Sequence, residues 1–195
     1  MRALRLKPGR IFFLEGLPGS GKTSIIQHLK TSYHVVEEVL NKSQLARCHN
    51  KRHQDFFFAN DERKIAKAKQ ASGVVLIDRS PLSTLYFNLA KFVFNFNYNP
   101  GDVLNWFACQ IKPEFESGDF RFIFLDISPG LALKRKSRKE TKNDPWANRQ
   151  ALEMIRNMYL SFMHLHKDLT AVVDGGQNFS EVLSDVKNVI LSQNE

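Results

Sequence analysis

Gly16-Leu17-Pro18-Gly19-Ser20-Gly21-Lys22-Thr23 reads G-x-x-x-x-G-K-[ST] without a mismatch. An apolar run, Ile11-Phe12-Phe13-Leu14, precedes it, and a helical pattern, Ser24-Ile25-Ile26-Gln27-His28-Leu29, follows. The motif carries meaning only between a strand and a helix, and both flanks are present. Three glycines let the backbone wrap until its N–H groups converge on an anion. The helix behind adds the positive end of its dipole. Lys22 is spaced to reach β- and γ-phosphates, and the Thr23 hydroxyl to ligate Mg²⁺. A glycine turn matching by accident is roughly a one-percent event in a chain of this length. Gly16, Leu17, Pro18, Gly19, Ser20, Gly21, Lys22, Thr23 and Ser24 are therefore the expected cradle for the polyphosphate of ATP.

Working outward, the 195 residues are read as one domain, 1–195, large enough for a real core. With 43% hydrophobic and 25% charged residues the chain has the make-up of a globular protein, and no apolar run approaches a membrane span. Met1 to Lys7 is basic, but the strand and loop follow at once, so no cleaved leader is expected. Cys48 and Cys109 form no C-x-x-C, which fits a reducing, cytoplasmic compartment. Cys48, His49 and His53 share no clean helical face, so zinc is not expected. The formal net charge of +8 suits a polyanionic partner, either nucleotide phosphates or nucleic acid.

Five apolar strands alternate with helices: Arg10 to Glu15, His34 to Val39, Val74 to Asp78, Phe122 to Asp126 and Ala171 to Asp174. A polar stretch from Asn41 to Gln70 reads as helix broken by Phe56-Phe57-Phe58. Ser80-Pro81 and Ser128-Pro129 each start a helix, a capping serine with proline at the first helical position. Further helices are expected at about Val103 to Lys112, Ala147 to Lys167 and from Phe179 onward. The pattern gives an α/β fold, a three-layer α/β/α sandwich around a five-stranded parallel sheet. Ligands in such folds sit at the carboxyl ends of strands, where Glu15, Glu37, Asp78, Asp126 and Asp174 fall.

Phosphoryl transfer needs cations on the moving group and an acceptor held in line. Asp78 is a candidate metal ligand; Asp126 has the same local pattern, and Asp78 is favoured because Arg79 beside it can clamp an acceptor. Lys134-Arg135-Lys136-Ser137-Arg138-Lys139 reads as a short basic lid at about 134–146, with Arg135 and Arg138 closing over the triphosphate. A solvated face or a nucleic-acid patch are the other readings of that run. One carboxylate of Glu37-Glu38, taken as Glu37, can accept a proton from a hydroxyl. Phe56-Phe57-Phe58 with Asn60 and Arg63 can stack on a base or simply pack in the core. Asp174-Gly175-Gly176 can approach the base with its backbone.

Together these pieces resemble the thymidylate kinase branch of the P-loop kinase fold, over roughly residues 10 to 190. The matching residues are Leu14-Glu15-Gly16; Val75-Leu76-Ile77-Asp78-Arg79 with Ser83; Leu125-Asp126-Ile127-Ser128-Pro129 with Ala132-Leu133 and Arg135; Arg156 with Tyr159-Leu160; and Val172-Val173-Asp174. The resemblance implies phosphate and Mg²⁺ roles for Lys22 and Thr23, metal and acceptor roles for Asp78 and Arg79, and transfer assistance by Arg135 and Arg138. The chain departs from thymidylate kinases at three points. Pro18 stands where they carry an acid, Glu37-Glu38-Val39-Leu40 replaces Arg-Glu-Pro-Gly, and Ser80 replaces Tyr. Deoxynucleoside kinases are similar to it at two of these, with Glu-Arg-Ser after the third strand and a catalytic Glu near the end of the second.

The expected function is therefore an ATP- and Mg-dependent kinase acting on a small acceptor. A nucleoside monophosphate comes first. A nucleoside or other metabolite hydroxyl, with Glu37 as base, is the alternative, and a nucleic-acid-linked ATPase or switch is the second. A membrane partner is not expected. Related kinases are often dimers, and Phe87, Phe92, Phe94 and Phe96 can supply a homodimer surface.

Overall fold

The computed structural model describes residues 10–38, 50–94, 98–117, 120–137 and 144–192. Five parallel strands form the sheet: β1 (Ile11–Gly16), β2 (His34–Val36), β3 (Val75–Asp78), β4 (Phe120–Asp126) and β5 (Thr170–Asp174), in spatial order β2-β3-β1-β4-β5. β1 is central because its whole length is apolar or buried. It pairs Leu14 with Asp78 on one side and Gly16 with Leu125 on the other.

Alternate residues of the strands feed two cores. Phe12, Leu14, Leu76, Ile123, Leu125 and Val173 face α1 (Lys22–Leu29) and the closing helix (Phe179–Ser192). Ile11, Phe13, Val75, Ile77, Phe122 and Phe124 face the opposite layer. That layer contains α2 (Asn50–Gln70), α3 (Pro81–Phe94) and a long helix, Arg149–Leu165. The helix after β1 thus goes to one face and the helix after β3 to the other. In folds of this kind the crevice at the carboxyl edge, between strands whose helices go to opposite faces, is where ligands bind.

Several boundaries differ from the sequence reading. α2 runs unbroken through Phe56-Phe57-Phe58, since no glycine or proline interrupts residues 50–70. Phe58 stacks on Trp106, with ring centroids 4.3 Å apart, and packs against the core. The helix expected at Val103 to Lys112 is Gly101–Trp106, then a π-helical turn, Phe107–Ile111, then Lys112–Ser117. Pro113 explains the wide turn, because it lacks an N–H and its ring crowds the carbonyl four residues back. β2 ends at Val36, so Glu37 and Glu38 leave the sheet; Val39 lies outside the described residues. The serine caps behave as expected: Ser128 Oγ accepts from the Leu131 amide at 3.2 Å, and Ser80 Oγ from the Leu82 amide at 3.1 Å. Among the described residues no helix is long and apolar enough to cross a membrane.

Candidate active site

The phosphate loop joins β1 to α1 at the crevice. A Cβ on Gly16 would lie 2.6 Å from Ser20 Oγ and 2.7 Å from the Leu125 carbonyl, so only glycine lets the loop close this tightly. Gly21, left-handed at φ 98°, turns the chain into α1 and faces open space. It caps α1 without a side chain, which leaves the first amides of the helix to an incoming anion. Leu17 and Pro18 are buried, whereas Thr23 and Ser24 are exposed at the helix start.

Lys22 is folded back on this loop. Its ammonium donates to the Gly16 carbonyl at 2.6 Å, the Leu17 carbonyl at 3.0 Å and Ser20 Oγ at 3.1 Å. Burial, joined by repulsion from Arg79, lowers its pKa from 10.5 to about 7. A triphosphate brings negative charge to this ammonium and restores its proton.

Glu15, one residue ahead of the loop, is wholly buried and organises the centre of the site. One carboxylate oxygen accepts from the Ser80 amide and Ser80 Oγ, both at 2.6 Å. The other accepts from Ser83 Oγ and Tyr159 OH, both at 2.8 Å. Burial, with the Glu15 charge beside it, raises the Tyr159 pKa well above the ordinary phenol value. The sequence reading placed Glu15 at a strand end without a partner. Its four donors come from three residues in two stretches, 65 and more positions along the chain, so nothing local announces them.

Asp78 ends β3 and Arg79 follows it. Burial pushes the Asp78 carboxyl up, against the pull of Arg79 and Lys22. Arg79 has a left-handed backbone, φ 62°. Its guanidinium lies 3.4 Å from Glu38, donates to Ser83 Oγ at 3.3 Å, and sits 5.3 Å above the Trp146 ring. Burial opposes the charge, but Glu38 and Glu15 outweigh it and raise its pKa. Trp146 in turn stacks on Phe87, centroids 5.1 Å apart, so Phe87 is engaged inside the molecule.

The two glutamates after β2 part ways. Glu37 is half-exposed on the α1 side, 3.5 Å from both Lys30 Nζ and Gln27 Nε2. Glu38 faces Arg79 and is felt electrostatically by Lys22 and Asp78. The structure therefore brings Glu38 to the site and leaves Glu37 outside it. Successive residues leaving a strand end point to opposite faces, so choosing between them needs the sheet.

Asp126 is occupied: Arg156 clamps it in a bidentate pair at 2.6 and 2.8 Å. Asp78 has no such partner among the described residues. Thr23 and Asp78 offer a few hard oxygens, a set that suits Mg²⁺, which keeps water and phosphate oxygens for its other ligands.

The basic run is part helix and part turn. Lys134 and Arg135 end a helix, Pro129–Arg135, and Arg138 lies outside the described residues, as do Cys48, His49 and Phe96. Arg135 donates to the Gly175 carbonyl at 2.7 Å and to those of Gly19 and Gly176, both at 3.4 Å. It ties the phosphate loop to the Asp174-Gly175-Gly176 turn. Asn60 is buried and accepts from Arg63 at 2.8 Å.

Comparison with protein-family models and with curated proteins finds no match. Solved structures match over nearly the full length. Deoxyadenosine kinase from M. mycoides, with products dCMP and a flexible dCDP bound, has a TM-score of 0.69 at 18% identity, covering 93% of this chain and 99% of that one. The same enzyme with bound dATP has a TM-score of 0.65 at 18% identity, covering 95% and 100%. Thymidylate kinase from Candida albicans has a TM-score of 0.66 at 18% identity, covering 96% and 93%. The chain has the three-layer α/β/α fold that these nucleoside and nucleotide kinases share.

Proposed function

We propose that this protein is a Mg·ATP-dependent kinase whose acceptor is a hydroxyl of a nucleoside-like molecule. The observation that carries this is the Glu38–Arg79 pair, 3.4 Å apart at the mouth of the crevice that holds Lys22 and Asp78. A carboxylate placed there can take a hydroxyl proton while the oxygen attacks the γ-phosphorus and the bond to the β-phosphate oxygen breaks. Arg79 holds that carboxylate and presents its remaining donors to the acceptor. An acceptor phosphate at Arg79 would instead meet the negative charge of Glu38. Lys22 neutralises the leaving β–γ region, and Arg135 braces the loop around it. Thr23 and Asp78 would hold Mg²⁺, which supplies further positive charge on the phosphates.

A nucleoside monophosphate acceptor is the second reading. The Candida albicans thymidylate kinase matches almost as well as the deoxyadenosine kinase, and Arg79 is a phosphate-binding type of side chain. The test is an acceptor screen with Mg·ATP, read by mass spectrometry for an added phosphate. Nucleosides should gain one, and Glu38→Gln should abolish the gain while Mg·ATP still binds by calorimetry. A gain on monophosphates alone would transfer the assignment to the second reading. A rate of ATP hydrolysis that answers only to polynucleotide would overturn both. Homodimerisation, for which Phe92 is exposed while Phe94 packs against the core, is tested by sedimentation.

A further inference from the structure

Lys64 lies on α2, and its side chain is only 2% exposed. Its ammonium has three partners: Asp61 Oδ1 at 2.8 Å, the Asp78 carbonyl at 3.1 Å and the Arg79 carbonyl at 2.9 Å. That is one acceptor for each of its three hydrogens. The other oxygen of Asp61 accepts from Thr84 Oγ1 at 2.6 Å. Burial pushes the Asp61 carboxyl up and Lys64 opposes it.

The two carbonyls converge because Arg79, between them and Ser80, is left-handed at φ 62° without being glycine. An L residue with a long side chain holds that conformation only where its surroundings impose it. The turn is tied at three points, the first being the Arg79 amide, which donates to the Leu14 carbonyl at 3.2 Å. Glu15 takes the Ser80 amide at 2.6 Å, and Lys64 takes the carbonyls. The carboxylate of Asp78 and the guanidinium of Arg79 both leave from this turn. A buried ion pair alone adds little stability, so the Lys64–Asp61 pair needs another reason to be inside.

We propose that Lys64 is a positioning residue: its ammonium holds the left-handed turn at Asp78-Arg79-Ser80, and through it aims Asp78 and Arg79 at the reacting groups. The proposal rests on the roles given to those two residues above. Lys64→Met alone would strand the buried Asp61 charge, so the informative variant is the double one, Asp61→Asn with Lys64→Met, beside Asp61→Asn alone. Three measurements apply: amide hydrogen exchange by NMR, Mg·ATP affinity by calorimetry, and kcat and KM for an acceptor found in the screen. The double variant should melt within about 3 °C of the wild type. Its Arg79 and Ser80 amides should exchange roughly tenfold faster or more, with β1 and β4 unchanged. Its kcat should fall by roughly a hundredfold with Mg·ATP affinity within about threefold, as expected of misplaced reacting groups. Asp61→Asn alone strips Lys64 of its counter-charge and should melt lower than wild type. It keeps the amine on the two carbonyls, so it should leave the exchange of Arg79 relative to β1 and kcat of the folded protein near wild type.

A double variant that exchanges slowly at Arg79 and Ser80, or turns over within about threefold of wild type, overturns the proposal. So does an equal loss in Asp61→Asn alone. A double variant that does not fold overturns it as well, by making Lys64 a support of the whole fold. If the exchange result holds while the wild type phosphorylates no acceptor, the kinase reading fails and the turn-holding role of Lys64 stands.

Discussion

On the proposed reading, the donor side and the acceptor side of the crevice are built in opposite ways. The donor cradle is one contiguous stretch, Gly16 to Ser24, between a strand and its own helix. The acceptor side draws Glu38 from beyond β2, Asp78 and Arg79 from β3, Phe87 from α3 and Trp146 from a 3₁₀ turn, Pro145–Ala147. Backbone amides and a helix end suffice to hold phosphate, and both are specified locally. Holding and deprotonating an acceptor needs charged side chains a few ångströms apart, which neighbours in sequence seldom provide. The contrast predicts that donor binding survives changes on the acceptor side, and that the two halves fail differently.

Five measurements break or sharpen that contrast. The largest effect is expected from Lys22→Met. Phosphoryl transfer should fall by about three orders of magnitude, read as kcat in the acceptor assay. The free protein should melt no lower than wild type, because a buried ammonium is removed. Next, Glu38→Gln should lower kcat by about a hundredfold or more while calorimetric Mg·ATP affinity stays within about threefold. Equal losses of turnover and ATP affinity would dissolve the division into two halves.

Tyr159→Phe removes a donor from buried Glu15 and should cost about 1–2 kcal/mol in denaturant unfolding. The fourth measurement concerns Lys22 and pH. Its folded pKa is lowered to about 7 from 10.5, so between those values the unfolded chain holds more protons than the folded one. Its contribution therefore makes stability rise with pH across that window. A bound triphosphate reverses this. Near pH 7 Mg·ATP binding should take up about half a proton at Lys22, seen as a dependence of binding heat on buffer ionisation enthalpy. The smallest effect belongs to Glu37→Gln, which should leave kcat within about twofold and stability within about 0.5 kcal/mol. A large loss of turnover there would return the role of base to Glu37.

Much of the frame was legible before any coordinates. The five strands, their parallel direction, the serine-proline helix starts and the phosphate loop follow from apolar runs, alternation with helices, capping residues and glycines, all short-range signals. Near the site the reading thinned. Both Asp78 and Asp126 end an apolar strand, and along the chain only the adjacent Arg79 favours Asp78; in space Arg79 turns to Glu38 instead. Arg156, thirty residues from Asp126, separates the two aspartates. The reading took Glu37 where geometry brings Glu38. The buried charges of α2 left one trace, since Asp61 and Lys64 share a helical stripe with Ile65 and Ala68, where polar residues are out of place.

By itself, the chain determined the loop proposed to seat a polyphosphate, because backbone geometry around Gly16 to Thr23 is dictated by residues next to one another. The tertiary structure alone decided which carboxylate meets Arg79, which aspartate stays open and what holds Arg79 left-handed. Those choices depend on distances across the sheet and between layers, and an electrostatic partner is selected by proximity in space, to which order along the chain is only a loose guide.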